Sequence, residues 1–163
     1  MFLTDVMLIK LGKWLRIMGI ESESPAPNEI DDDIIIYKAL KERKVLLTMD
    51  KEMAQNAVST GVKVILIPSK MIEVEDQLEY VIREAGISSS SLQKKALCTE
   101  CGAPVREADL DEVSETIPAG ILMTTDKFWK CSSCSQVYWE GSHWRNIQKT
   151  VAKVKACISK SGA

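Results

Sequence analysis

The chain has 163 residues, of which 45% are hydrophobic and 27% charged, and its formal net charge is -2. That length fits one ordinary domain, or a smaller domain with an accessory module, and the overall charge argues neither for nor against nucleic acid. No apolar run approaches the roughly 18 residues of a membrane span. Asp5, Lys10, Lys13 and Arg16 break up the N-terminal apolar segment, so a signal peptide is not expected. The expected location is cytoplasmic. There, five cysteines point to metal binding or free thiols, not to disulfides.

Met1 to Thr4 reads as a short strand that stops at Asp5. The stretch VMLIKLGKWLRIMG follows, with Met7, Leu8, Leu11, Trp14, Leu15 and Met18 at helical spacing and Gly19 as a stop. Ile20 to Ser24 is a candidate strand, and PAPN is a loop. DDDIIIYKALKERK opens with capping residues and closes basic, as helices prefer. VLLT is a buried strand, and Asp50 to Thr60 is a helix closed by Gly61. VKVILI is a further strand ended by Pro68, and EVEDQLEYVIREAG is a helix with Val74, Leu78, Val81 and Ile82 on one face. Strand and helix alternate four times, which predicts an α/β fold with a parallel sheet flanked by helices. ISSSSLQKK reads as a linker, and a boundary is expected near Ser91.

Beyond it stand CTEC, Cys98 and Cys101, and CSSC, Cys131 and Cys134. Each pair lets a tight turn aim two thiolates at one ion, and two turns complete a tetrahedron. The segment FWKCSSCSQVYW looks like a hairpin around the second pair. A structural zinc ribbon is expected, with almost no apolar core of its own and no fold without metal. Cys157 reads as a small buried hydrophobe. His143, the single histidine, is either a substrate contact or a plain surface residue. Gly141 to Ala163 carries Arg145, Lys149, Lys153, Lys155 and Lys160 without an acid, which is either a phosphate-contacting tail or a solvated helix face.

In a parallel α/β sheet, ligands collect beyond the carboxyl ends of the strands. Asp5 and Asp50 both end strands, and Asp31, Asp32 and Asp33 open the second helix. Each aspartate alone serves as well as a helix N-cap, worth about 1 kcal/mol. Together they suit Mg²⁺ or Mn²⁺, because clustered carboxylates repel unless a hard cation joins them. Such ions assist phosphodiester hydrolysis.

FLTDVMLIKLGKWLRIMGIE, DDDIIIYKALKERKVLLTMDKEM, the two CxxC pairs and VYWEGSHW together resemble the PIN-like ribonuclease family named after the C-terminal domain of the Mut-seven exonuclease. The resemblance spans nearly all of residues 1 to 148. It implies a PIN-like domain at residues 1–91, a zinc ribbon at 92–148 and a basic helical tail at 149–163. It also implies a metal-dependent ribonuclease with Asp5, Asp32 and Asp50 as catalytic and Mg²⁺- or Mn²⁺-binding residues. Asp32 keeps the family's spacing to Ala39, Asp31 and Asp33 stay open as alternatives, and Glu52 is a candidate fourth acid. Met49 stands where the family often has a basic residue. Lys10, Lys13 and Arg16, with His143, Trp144 and Arg145, form candidate contacts for single-stranded RNA. A non-catalytic RNA- or protein-binding adaptor on the same scaffold is the alternative. A phospho-acceptor domain would place an acidic pair after the first strand, where Asp5 stands alone.

Overall fold

A computed structural model describes residues 1–160, with Ser142 described by its backbone alone. The first half alternates as expected. Its strands are β1 (Phe2–Thr4), β2 (Ser22–Glu23), β3 (Val45–Thr48) and β4 (Val64–Leu66). Between and after them come α1 (Ile9–Ile17), α2 (Asp32–Lys41), α3 (Lys51–Ser59) and α4 (Val74–Glu84). The strands are all parallel in the order β2-β1-β3-β4. Phe2 faces Val45, and Thr48 faces Leu66, so the strands end at one edge.

Strand residues alternate between two cores, as a period of two requires. Leu3 and Leu46 join Ile35, Ile36, Ala39, Met53 and Ala57 of α2 and α3 on one face. Phe2 and Leu47 join Leu11, Leu15, Leu78 and Ile82 of α1 and α4 on the other.

The second half holds an antiparallel sheet of β5 (Val105–Ala108), β6 (Phe128–Cys131) and β7 (Val137–Trp139). Two short helices, α5 (Leu110–Val113) and α6 (Ala119–Leu122), fill the spacer between the cysteine pairs. Val113, Ile117, Phe128 and Val137 form a buried cluster there, so the ribbon has a small apolar core of its own.

The expected boundaries, after Ser91 and at 149, fall in segments that pack on the first half. The segment after Ser91 stays fastened to the first half. Leu92 is buried in its core, the Gln93 amide donates to Met18 at 2.7 Å, and Lys95 pairs with Glu21 at 2.9 Å. The final helix α7 (Ser142–Lys160) starts seven residues before position 149. It returns to the first half, where Val151, Val154 and Ile158 are buried in the same core as α4. Each such side chain contributes roughly 1.5–3 kcal/mol, so the tail helix is structural as well as basic. Residues 161–163 of the expected tail lie outside the described residues.

Candidate functional site

The carboxyl edge of the parallel sheet carries the acidic residues. Asp5 follows β1 and caps a 3-10 turn over Val6–Leu8, with Oδ1 accepting from the Leu8 amide at 3.0 Å. Its Oδ2 accepts from the Thr48 hydroxyl at 2.5 Å. Thr48 Oγ1 in turn accepts from the Asp50 amide at 2.9 Å. Since Asp50 N–H occupies a lone pair, the Thr48 proton is directed at Asp5. One threonine therefore fixes both strand-end aspartates. Its signal in the sequence is the T-x-D spacing of a side chain that bonds the backbone two residues on.

Asp50 is the N-cap of α3, and its Oδ1 accepts from the amides of Glu52 and Met53 at 2.7 and 2.9 Å. Asp31 caps α2 through the Asp33 amide at 2.9 Å, and Asp32 begins the helix itself. Asp31, Asp32, Asp33, Asp50, Glu52 and Asn56 line an open cleft of about 460 Å³ between the starts of α2 and α3. Asp5 does not line this cleft. It is 3% exposed and joined to it through Thr48.

Electrostatics separate the acids from ordinary surface carboxylates. Burial pushes the Asp5 carboxyl above its usual range, although Thr48 and the amides of Leu8, Met49 and Met7 pull the other way. Asp32 is also raised, first by burial and then by repulsion from Asp50, Asp31, Asp33 and Glu52. Among the described residues, none of Asp5, Asp32 and Asp50 forms an ion pair with Lys or Arg. Asp32 and Asp50 share the cleft while Asp5 lies behind it, and the three carboxylates do not converge as the four cysteine sulfurs do.

The cysteines form a second constellation. The Sγ atoms of Cys98, Cys101, Cys131 and Cys134 all lie within 4.8 Å of one another. Among the described residues, no other group of three or more His, Cys, Asp or Glu converges closely enough to share an ion. The chain folds alike at both pairs. Gly102 follows the first pair with φ 77° and Ser135 the second with φ 60°, so each turn closes on a left-handed residue. The amides of Ser133 and Cys134 point at Cys131 Sγ at 3.4 and 3.5 Å. Burial pushes the Cys98 thiol up, but the Tyr138 hydroxyl at 3.0 Å and the amides of Cys101 and Glu100 outweigh it and hold its pKa at about 6. At Cys134 the Gln136 amide favours the thiolate, yet the neighbouring sulfurs of Cys101, Cys98 and Cys131, together with burial, drive it up to about 12. Four sulfurs this close ionise together only around a cation. They can hold a metal such as zinc. Tyr138 orients the first pair and was legible only as a hairpin aromatic.

The expected cationic surface divides. Lys10 is exposed on the first turn of α1. Lys13 pairs with Glu100 of the ribbon at 2.7 Å. Arg16 requires a correction: it is 3% exposed and is no part of a solvent-facing rim. Its Nε donates to the Ser22 carbonyl at 2.8 Å, and one terminal nitrogen donates to the carbonyls of Thr99 and Glu100 at 2.6 and 3.0 Å. These carbonyls belong to the first cysteine turn, so Arg16 fastens the ribbon to α1 and β2. Gly12, one turn earlier, marks the same close approach, since a Cβ there would lie 2.6 Å from Ser24 Oγ. Trp144 stacks on Trp129 of β6, with centroids 5.9 Å apart, which ties α7 to the ribbon. His143 and Arg145 are exposed beside it. Cys157 is partly exposed on α7.

A parallel α/β sheet with acids at its carboxyl edge, joined to a four-cysteine ribbon, defines a two-part protein. The family model described as the Mut7-C RNAse domain matches residues 1–151, and the chain belongs to that family. Comparison with curated proteins and with solved structures gave no match. Membership suggests a ribonuclease-like function acting on RNA. No helix among the described residues is long and apolar enough to cross a membrane.

Proposed function

We propose that this chain is a metal-dependent ribonuclease whose Asp5, Asp32 and Asp50 hold Mg²⁺ or Mn²⁺ at the carboxyl edge of the sheet. One observation supports the reading above others: Asp32 and Asp50 share a cleft at the carboxyl edge of the sheet, without a Lys or Arg counter-ion, in a chain of an RNase family. When bound, the ion polarises a scissile phosphate and makes water a better nucleophile. The chain's own groups prepare for it. Thr48 holds Asp5 in one orientation and keeps the buried carboxylate hydrogen-bonded. The first-turn amides of α3 fix one oxygen of Asp50, leaving the other to turn toward the cleft. Asp32 reaches the same cleft from α2.

The four cysteines hold structural zinc in this reading, and the ribbon helps to select single-stranded RNA with Lys10, His143, Trp144 and Arg145. Free thiols in a ligand array fit a reducing, cytoplasmic compartment. The capping bonds of Asp5 and Asp50 favour one alternative, a non-catalytic RNA- or protein-binding adaptor that keeps the acids for stability.

Cleavage of mixed single-stranded and structured RNAs separates the two. The nuclease reading expects cleavage with Mg²⁺ or Mn²⁺, none with EDTA, and none from Asp50→Asn, which still caps α3 because Asn caps about as well as Asp. Equal cleavage by wild type and Asp50→Asn would remove the proposed site. RNA binding without cleavage would support the adaptor.

A further inference from the structure

We propose that the exposed face of α7 is an additional RNA-binding surface that tracks the backbone of a single strand beyond the acidic cleft. The inference rests on the ribonuclease reading and extends it from Arg145, already among the proposed contacts, along the rest of α7.

The helix carries five of the 21 Lys and Arg of the chain and none of its 23 Asp and Glu. At 100° per residue, Arg145, Lys149, Lys153 and Lys160 fall within an arc of about 80°. Val151, Val154 and Ile158 occupy the opposite side and are buried against α4. Elsewhere several cations are neutralised: Lys13, Lys38, Lys44, Lys95 and Arg106 pair with glutamates. Among the described residues no carboxylate lies within ion-pair distance of the four cations of the stripe. Lys155, off the stripe, turns to Gln93 at 2.8 Å instead.

A merely solvated face gains from mixed charges, since like charges four residues apart weaken a helix. Arg145 also stands in the first turn, where the helix dipole disfavours cations. Here the arrangement is maintained because packing on α4 secures the helix. Such a stripe suits an anionic polymer. Successive cations four residues apart are about 6 Å apart along the axis, on the order of one nucleotide of an extended strand. A duplex backbone curves away from a straight helix, whereas a single strand can follow it. An anionic membrane is the poorer fit, because the apolar face that would insert is already buried.

The position gives the strand a direction. Thr150 donates to Glu75 in the first turn of α4 at 3.3 Å, and Gln77 beside that turn reaches Met49, the neighbour of Asp50. Arg145 and Lys149 are thus nearest the acids, and Lys160 is farthest. RNA bound in the cleft would leave across Arg145 and continue along α7.

The test compares Asp50→Asn protein with the same protein carrying Lys149→Gln, Lys153→Gln and Lys160→Gln. Anisotropy of a fluorescein-labelled single-stranded RNA of about 15 nucleotides is read across salt concentrations. Loss of three phosphate contacts is expected to lower the magnitude of the slope of log K against log salt by about 2 and to weaken binding on the order of 100-fold at 0.1 M salt. Lys→Arg at the same positions should restore both, and the melting temperature of the Gln variant should not fall. An unchanged slope, while the parent binds RNA, overturns the α7 surface and leaves the ribonuclease reading intact. A parent that binds no RNA even at low salt overturns both. Loss of binding to phosphatidylserine vesicles with an unchanged RNA slope would assign the stripe to membranes and overturn the proposal.

Discussion

At the ribbon, four sulfurs lie within 4.8 Å of one another, held by two turns of the same local shape. At the sheet edge, the aspartates come from three elements, and each is already occupied by a neighbour or repelled by one. The cysteine pairs bring their geometry with them, because two residues between ligands suffice for a turn. The carboxylates depend on the whole sheet to reach one edge. The cysteine site is therefore preformed, while the aspartates stand on separate elements, and Asp32 and Asp50 stay open to solvent. The two sites should also fail differently.

The largest effect is expected at the ribbon. Cys131→Ser should lower bound zinc from one per chain to none and expose the amides of β5, β6 and β7 to hydrogen exchange. The parallel sheet should keep its protection. Loss of protection throughout the chain would show that the two halves fold as one unit.

Arg16→Met comes next, because it attacks the seam between the regions. It leaves the carbonyls of Ser22, Thr99 and Glu100 without their donor. A destabilisation of about 3 kcal/mol in urea unfolding is expected, with faster proteolysis between residues 92 and 141. Unchanged stability would mean that Lys13 and Glu100 hold the seam without it.

Thr48→Val probes the carboxylate side. It keeps the shape of the side chain and removes the hydroxyl that joins Asp5 to the Asp50 amide. About 2 kcal/mol should be lost, and RNA cleavage should fall with it. Full cleavage with reduced stability would restrict Thr48 to a structural role.

How much of this was legible follows the same division. Strand and helix order, the strand-ending aspartates and the CxxC pairs are local patterns, and the structure keeps them. Arg16 could not be read correctly, because its partners at Thr99 and Glu100 are more than 80 residues away. Its charge suggested a solvent-facing RNA contact. Val151, Val154 and Ile158 announced a helical face without naming α4 as its partner. The convergence of Asp32 on Asp50 depended on α2 and α3 starting side by side, which strand order alone does not specify.

The smallest effect concerns charge repulsion. Asp32 holds its proton to a higher pH when folded than when unfolded, so its ionisation costs stability. That cost is absent at low pH and appears as pH rises through the window above the usual carboxylate value of 3.8. Asp32→Asn should therefore raise the melting temperature of the metal-free protein by roughly 1–2 °C near pH 7 and by nothing at the acid end. Saturating Mn²⁺ should reverse the order, because the wild type gains a ligand-bound ion that the variant binds weakly.

The central claim is that Asp5, Asp32 and Asp50 serve one metal centre, and anomalous scattering from Mn²⁺-soaked crystals tests it most directly. The account expects a manganese peak at the carboxyl edge of the sheet, with carboxylate oxygens of all three residues as ligands directly or through water. A fully soaked crystal with no peak there, or with manganese held elsewhere and the three aspartates still serving only as caps and hydrogen-bond acceptors, would contradict it.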